Sequence, residues 1–586
     1  MPRQTLIAAV IALLLSGTAT AASLESLYAQ QRERRAPAAS AAIAPTPAPE
    51  ELTGELVYEM LLGEVAMQRG QTQVAAQAYL DLARRTRDPR LARRATEIAI
   101  FARAPMIAVE SAKIWAEVAP DADDAQRAVA ALLISTDRAD DAEPYLQRVF
   151  ERARGNDDRR NGLFRQLAQL VGGAANRPAA LRLVQRVAAP YSEIPEARIA
   201  VAQAALAAGD DTLALAEARA ASALRPDFQE AVITESSVLQ KQTPQAAVAR
   251  LQAHLEKFPA ASEVRLNYAR ALAGDKQYVA ARREFQRVAD ENPSNVDVIF
   301  SIGLLSLELR DYPLAEQQFK RLLQLPFREP NLARLYLGQI AEDTKRHSEA
   351  ADWYRQVTEG EQYLPAQIRL ATALFKGGDL AAARNALQTA TPDNPQQRVQ
   401  LQLAESQLLR DANRPQEAYE FIERALANEP NNIELLYDFA MVAEKLDRVD
   451  VMEANLRKVI GINPKHAHAH NALGYSLAER NVRLDEARKL IEQALELTPN
   501  DYYIIDSLGW VLYRQGDLAG ARRELERAFK GRPDAEIAAH LGEVIWMMGD
   551  RASAEKLWRE ALALTPDNDV LKKTLARFVP ATANKQ

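Results

Sequence analysis

A pattern that occurs three times between residues 467 and 568 is the strongest constraint on how this chain folds. Each copy opens with a Leu-Gly pair, carries two alanines seven residues apart in its second half, and closes with a proline. Equivalent residues lie 33 to 35 positions apart, and a fixed period of that size indicates small structural units stacked in series. The residues are Leu473-Gly474, Leu508-Gly509 and Leu541-Gly542, then Ala487, Ala521 and Ala554, then Ala494, Ala528 and Ala561, and finally Pro499, Pro533 and Pro566.

Each slot of the pattern has a physical cause in a pair of packed helices. Glycine in the first helix lets the second helix approach, because any side chain there would hold the two backbones apart, and the first alanine plays the same part from the second helix. Proline ends the copy because it lacks the N–H that a continuing helix needs. Four positions after the first alanine of each copy, a larger residue fills the space between layers, and these residues are Ile491, Leu525 and Trp558.

The period and its slots resemble the tetratricopeptide repeat (TPR) family, whose signature has a Leu-Gly pair, a later alanine with a large residue after it, and a proline. Weaker copies follow one another from residue 51 onward. The resemblance implies an all-α superhelical solenoid of about fifteen helix pairs, with a last helix near 568–578 as a cap. The useful surface of such an array is its extended concave face.

The regularity of the pattern divides the chain into segments. TPR-like repeats occupy 51–155, central repeats 193–466 and the well-matched repeats 467–568, and 569–586 holds the capping helix and a tail. Between the first two, 156–192 is degenerate. We expect helices there at 160–171 and 178–188, and Gly172-Gly173 with Pro190 make this segment the candidate for a bend in the array.

The first 50 residues predict export followed by a linker. Arg3 precedes an apolar run at 6–15 that is too short for a stable membrane anchor, and Ala19-Thr20-Ala21 is a small-x-small cleavage site. Residues 1–21 are therefore a predicted signal peptide, and the Ala/Pro-rich residues 22–50 a predicted linker.

One position near the cleavage site bears on anchoring. After Leu15-Ser16-Gly17, Thr18 stands where a bacterial lipoprotein has its lipidated cysteine, and the chain contains no Cys. A lipid anchor is therefore not possible on the chain as written. We expect a soluble periplasmic protein without a transmembrane segment after signal cleavage, associated with the outer membrane through partners, or by lipidation if Thr18 replaces a native cysteine.

Composition and motifs argue against catalysis and cofactors. A net charge of -6 offers no overall attraction to nucleic acid, and the absence of Cys excludes disulfides, thiolate catalysis and thiolate metal sites. The chain has no phosphate-binding glycine loop, no GxSxG and no HExxH. No catalytic residue, cofactor or metal is predicted. His466 and His470 lie one helical turn apart and could hold a metal with a third ligand, but the alternative is an ordinary helix start.

Two groups of residues are candidates for binding protein partners. In the TPR family the first helix of each pair lines the concave face, and large aromatic residues there are frequent interface anchors. The candidates are Tyr475, Tyr503, Asp506, Trp510, Tyr513 and Trp546, with gap filling between layers as the alternative role for the rings. A basic cluster could form a solvated face, or it could dock an acidic partner, anionic lipid headgroups or the cell-wall polymer. It comprises Arg84, Arg85, Arg87, Arg90, Arg93 and Arg94.

The two ends of the array carry more specific motifs. The first copy reads RRTRDPRLA at 84–92, and the last copies read NALGYSLA at 471–478 and DSLGWVLY at 506–513. Together these resemble the proteobacterial exported TPR adaptor lipoproteins that partner a carboxyl-terminal processing protease. The resemblance implies a non-enzymatic adaptor that binds the protease and presents substrates such as peptidoglycan hydrolases, although Thr18 departs from the cysteine of that family.

Two other functions stay open at this point. TPR solenoids also serve as scaffolds for exopolysaccharide or envelope assembly. A glycan-processing enzyme built as an α-helical toroid would need acidic residues clustered at a single cleft, which the repeat register does not supply.

Overall fold

Residues 53–579 are described by the computed structural model, and within that range the chain forms 31 α-helices and no β-strand. The helices follow one another as fifteen pairs and a last single helix, which confirms the predicted all-α solenoid of helix pairs with a C-terminal capping helix. The predicted signal peptide, with Thr18, and the predicted linker lie outside the described residues, as do the last residues of the tail.

The chain divides between Phe327 and Arg328 into two compact units. Within each unit, most helices pack mainly on the helices directly before and after them in the chain. The helices of the first unit are α1 (Gly54–Gln68), α2 (Thr72–Thr86), α3 (Pro89–Phe101), α4 (Pro105–Val118), α5 (Asp123–Ser135), α6 (Glu143–Arg152), α7 (Asp157–Gly172), α8 (Arg177–Ala188), α9 (Pro195–Ala208), α10 (Asp211–Leu224), α11 (Gln229–Gln242), α12 (Pro244–Lys257), α13 (Ser262–Gly274), α14 (Tyr278–Glu291), α15 (Val296–Glu308) and α16 (Tyr312–Leu322).

The second unit contains the repeats that fit the sequence pattern best. Its helices are α17 (Pro330–Asp343), α18 (His347–Arg355), α19 (Tyr363–Lys376), α20 (Leu380–Thr389), α21 (Pro395–Asp411), α22 (Pro415–Asn428), α23 (Ile433–Lys445), α24 (Val449–Ile462), α25 (Ala467–Glu479), α26 (Leu484–Leu497), α27 (Tyr502–Arg514), α28 (Leu518–Gly531), α29 (Ala535–Met547), α30 (Arg551–Leu564) and the cap α31 (Asp569–Phe578).

Local sequence sets where the helices begin. The Oδ1 atom of Asp501 accepts hydrogen bonds from the backbone N–H groups of Tyr503 at 2.9 Å and Ile504 at 3.4 Å, so α27 starts directly after it. Other helices start on a proline, whose missing N–H costs nothing in the first turn, and in the second unit these prolines are Pro330, Pro395 and Pro415.

A residue with positive φ sits in the turn between the two helices of most pairs. The left-handed conformation ends the first helix and lets the chain reverse. After Arg310, for example, the N–H of Asp311 donates to the carbonyl of Ser306 at 2.8 Å. Glycine fills this position at Gly209, Gly378, Gly516 and Gly549, and residues with a side chain fill it at Lys276, Arg310, Lys345, Asn413 and Asp447.

The glycines of the pattern make the close helix contact that the sequence predicts. A Cβ built on Gly474 would lie 2.7 Å from Cγ1 of Ile491, and one on Gly509 would lie 2.5 Å from Cγ of Leu525. Both distances are too short for real carbon atoms, so a side chain is excluded there. Gly542 contacts the indole of Trp558 in the same way. We call this contact between a first-helix glycine and a large second-helix residue the lock of a pair.

The degenerate segment keeps its helices but changes their packing. The predicted helices at 160–171 and 178–188 correspond to α7 and α8, each beginning slightly earlier. Instead of a glycine lock, three rings pack together here, with centroids 4.5 Å apart for Phe150 and Phe164 and 5.6 Å apart for Phe164 and Tyr191. The bend predicted at this segment stays a prediction.

Candidate functional site

The six predicted groove residues lie on the first helices of the last three pairs. Tyr475 is on α25, Trp546 is on α29, and the other four are on α27, where spacings of three, seven and ten residues place them along one side. We call the side of α25, α27 and α29 that carries these residues the groove face. Tyr503 is exposed, Tyr475, Tyr513 and Trp546 are half-buried, and Asp506 and Trp510 are buried.

A histidine–aspartate pair with little solvent exposure joins α27 to α29. The Nδ1 atom of His540 lies 3.1 and 3.0 Å from the two carboxylate oxygens of Asp506. The indole of Trp510 stacks on the imidazole with ring centroids 4.2 Å apart, and its Nε1 donates to the Glu479 carboxylate at 2.7 Å. Trp510 therefore links α27 to both α25 and α29, and Asp506 links α27 to α29.

The charge on this imidazole is set by two opposing effects. Burial alone would lower the pKa of His540, but the adjacent Asp506 carboxylate outweighs it, with smaller contributions from Glu479 and Glu543. The pKa of His540 is consequently raised above its ordinary value, which favours a charged imidazolium against a carboxylate.

The capping helix is tied to the groove face through Glu543 of α29. The hydroxyl of Tyr513 donates to the Glu543 carboxylate at 3.0 Å, and Arg577 of α31 pairs with the same carboxylate. Burial, together with the charge of Glu543, raises the pKa of Tyr513 to about 12, so the phenol stays protonated and serves as a donor.

The remaining two aromatic candidates lie toward the end of the array. Trp546 packs with its ring centroid 5.8 Å from Trp558 and 5.7 Å from Phe578 of the capping helix. Tyr503 is 44% exposed, with the guanidinium of Arg532 4.8 Å from its ring centroid. Trp546 is therefore partly committed to the cap, whereas Tyr503 is open to solvent on one side.

Tyr475 has the most acidic surroundings on the groove face. Burial raises the pKa of its hydroxyl well above the ordinary value, and the carboxylates of Glu479, Asp506, Glu536 and Glu444 raise it further. Within residues 53–579 nothing forms a hydrogen bond with that hydroxyl. The groove face thus presents an aromatic ring with an unused polar group among several negative charges.

The six arginines of the basic cluster lie on α2, on α3 and in the turn between them, and every one of them pairs with a carboxylate. Because the partners neutralise much of the charge, this surface is of mixed sign. The pairs, at 2.5–3.6 Å, are Arg84 with Asp81 and Glu110, Arg85 with Glu55 and Glu59, Arg87 with Glu117, Arg90 with Asp88, Arg93 with Glu97, and Arg94 with Glu64.

The histidine cluster forms the start of α25. The Nδ1 atom of His466 accepts a hydrogen bond from the backbone N–H of Ala469 at 3.1 Å, which caps the helix. His470 is buried, with Nε2 3.0 Å from the carbonyl oxygen of Pro464, and His468 is exposed. Over residues 53–579 no three His, Asp or Glu side chains are grouped so that they could hold a metal ion.

The sequence did not single out His540, Glu479 or Glu543, although its period contains the signal that would have found them. Asp506 and His540 are 34 residues apart, and Trp510 and Glu479 are 31 apart. Residues separated by about one period lie side by side in successive first helices.

None of the helices described between residues 53 and 579 has the length and apolarity to cross a membrane.

Comparisons with known proteins agree with this architecture. The model of the tetratricopeptide repeat family matches residues 237–296, 300–363, 368–433, 437–502 and 507–569. A TPR repeat-containing protein of Pseudomonas aeruginosa is 33% identical over 588 residues, which cover 97% of this chain and 96% of that protein. The human protein O-mannosyl-transferase TMTC1 is 23% identical over 211 residues, only 35% of this chain and 24% of that protein.

Solved structures are similar to this chain at low sequence identity. A TPR protein from Thermus thermophilus is 23% identical, with a TM-score of 0.29 over 30% of this chain and 97% of that chain. The Cut9–Hcn1 hetero-tetramer of the APC/C has a TM-score of 0.31, is 15% identical, and matches 90% of this chain and 97% of that chain. At TM-scores this low, these structures do not bear on function. The family model and the Pseudomonas relative show that the chain belongs to the tetratricopeptide repeat family.

Proposed function

We propose that this protein is an exported, non-enzymatic adaptor that binds a carboxyl-terminal processing protease and presents protein substrates to it, peptidoglycan hydrolases among them. TPR arrays generally mediate contacts between proteins, and the described residues consist of helix pairs throughout. The observation that carries the proposal is the pair of motifs at the two ends of the array, RRTRDPRLA at 84–92 and the repeated Leu-Gly copies at 471–478 and 506–513, which resemble those of such adaptors.

The periplasm as the site of action is part of the same proposal. It rests on the charged start, the short apolar run and the cleavage site within residues 1–21. Thr18 leaves no acylation site, so association with the outer membrane would run through partners. Osmotic-shock fractionation tests this, with the chain expected in the periplasmic fraction and its retention in the cytoplasm as the contrary result.

A reconstituted degradation assay tests the adaptor activity. The mature chain, its cognate processing protease and a cell-wall hydrolase are mixed, and the rate of hydrolase loss is followed with and without the chain. We expect the chain to accelerate degradation of the hydrolase without changing cleavage of a short unstructured peptide, because an adaptor acts on delivery rather than on the chemistry. Equal rates of hydrolase loss with and without the chain would disprove the adaptor function.

A further inference from the structure

We infer that the groove face binds a lysine or arginine side chain from an extended segment of the partner, seated over Tyr475 between the carboxylates of Glu479 and Glu536. This inference rests on the proposed function, since it names the chemistry of the segment that the adaptor holds.

The negative charges around Tyr475 come from Glu479, Asp506, Glu536 and Glu444. Two of these carboxylates already have a cationic partner, because Asp506 contacts His540 and Glu444 lies 3.6 Å from Arg480. These pairs are satisfied within the chain and leave little charge to attract a ligand.

The other two carboxylates are not compensated. Glu479 accepts a hydrogen bond only from the neutral indole of Trp510, and among residues 53–579 no Lys, Arg or His side chain lies within ion-pair distance of Glu479 or Glu536. Both residues are exposed. They sit on the two helices that flank α27. Glu479 follows Tyr475 by one helical turn on α25, and Glu536 precedes His540 by one turn on α29, where the imidazole centroid lies 6.2 Å from the centroid of the Tyr475 ring. Both carboxylates also contribute to the raised pKa of the Tyr475 hydroxyl.

The arginine that contacts the backbone of Glu479 does not pair with its carboxylate. Arg514 donates to the main-chain carbonyl of Glu479 at 3.1 Å and has its guanidinium 5.9 Å from the ring centroid of Trp510, so the carboxylate of Glu479 stays available. The imidazolium of His540 is held by Asp506, and no cationic side chain among residues 53–579 forms an ion pair with Glu479 or Glu536.

An aromatic ring with two free carboxylates near it is a suitable receptor for a cationic side chain. The ring attracts a cation over its face, the carboxylates form charge-assisted hydrogen bonds with it, and the half-buried phenol is already ordered. An acidic segment would instead meet like charges. The same position gives no metal site, because no third ligand joins the two free carboxylates in the described part of the chain.

Fluorescence anisotropy with the full chain and short labelled peptides tests the inference. One probe contains Ser, Leu and Lys, and the second is the same peptide with every Lys replaced by Glu. We expect tighter binding of the lysine probe, weakened by raised salt because the carboxylates are exposed. Equal affinity for the two probes, or preference for the glutamate probe, would overturn the inference.

A matched pair of double variants locates the binding. Glu479→Gln with Glu536→Gln removes both free carboxylates and should weaken binding of the lysine probe by about tenfold. Two charge contacts are lost, and the cation is no longer held over the Tyr475 ring. The control is Glu423→Gln with Glu496→Gln, since these exposed carboxylates on α22 and α26 also have no ion pair in the described residues and lie on second helices. An equal loss in the control, with both variants folded by circular dichroism, contradicts the assigned position.

The two proposals can fail separately. If the chain accelerates hydrolase degradation but the lysine and glutamate probes bind equally, the adaptor function stands and the chemistry of the groove face is wrong. If degradation is unaffected by the chain while binding of the lysine probe depends on Glu479 and Glu536, the site stands and the adaptor function fails.

Discussion

Replacing Trp558 by alanine should destabilise the C-terminal end of the array without affecting the first unit. The side chain is 0% exposed and fills the lock against Gly542. Its ring stacks with those of Trp546 and Phe578, and its Nε1 donates to the carbonyl of Ala539 at 3.2 Å. Truncating a buried tryptophan costs about 3–5 kcal/mol, because transfer free energy is lost and a cavity remains.

The loss should be local, since each pair of a repeat array is stabilised mainly by its neighbours. Hydrogen exchange followed by mass spectrometry measures this directly. Amides in α29, α30 and α31 should exchange at least about a hundredfold faster in Trp558→Ala, given a tenfold change for every ~1.4 kcal/mol. Amides in the helices of the first unit should exchange at the wild-type rate.

The control is Trp558→Phe, which keeps most of the ring volume and removes the indole N–H. It should cost about 1 kcal/mol, the usual worth of one hydrogen bond. The reasoning is refuted if Trp558→Ala leaves the exchange of α29 to α31 unchanged, or if it accelerates exchange in the first unit to the same extent.

Four further substitutions test other parts of the structure. Gly509→Ala puts a Cβ against Leu525 and should cost about 1–3 kcal/mol of unfolding free energy, whereas Gly162→Ala in α7 has open space around it and should gain up to about 1 kcal/mol in urea denaturation. The pKa of His540 is raised in the folded protein, so its contribution to stability is fully present below the pKa of an unfolded histidine, ~6.5, and is lost as the pH rises through the folded pKa. The urea midpoint of the wild type should therefore fall with rising pH. His540→Gln should remove this pH dependence of the midpoint. Arg483 lowers the pKa of Glu453 to about 2, against the opposing effect of burial and with a further contribution from Arg457. Glu453→Gln should therefore cost about 1 kcal/mol of unfolding free energy at neutral pH, and this cost should disappear as the pH falls below about 2. A pH-independent difference between Glu453→Gln and the wild type would contradict the last of these.

The helix pairs could be predicted because the lock is a constraint within one pair. Position 474 must be glycine because the side chain of Ile491 fills the space beside it, and the same constraint applies one period later to Gly509 and Leu525. The start of α7 was predicted too late, since Asn156 accepts a hydrogen bond from the N–H of Arg159 at 3.0 Å and begins the helix before the apolar pattern does.

The sequence placed the groove residues on the first helices of their pairs, but it did not predict which of their side chains are exposed to solvent. Whether a ring on a first helix faces solvent depends on what the next pair places beside it, and His540 covers Trp510 from α29. The basic cluster shows the same limit, because acidic partners such as Glu110 for Arg84 come from a neighbouring helix 26 residues away. Local sequence reveals the arginines and their near partners Asp81, Asp88 and Glu97, and the packed helices reveal the partners that come from other helices.

The lock has a consequence for how such a chain can change over generations. Both of its halves belong to one pair, as Gly542 and Trp558 do, and no neighbouring pair supplies either half. A tandem duplication or deletion of one period therefore carries a complete lock with it and leaves those on either side intact. Recombination alone can thus lengthen or shorten the surface offered to a partner, one pair at a time, without a compensating mutation elsewhere.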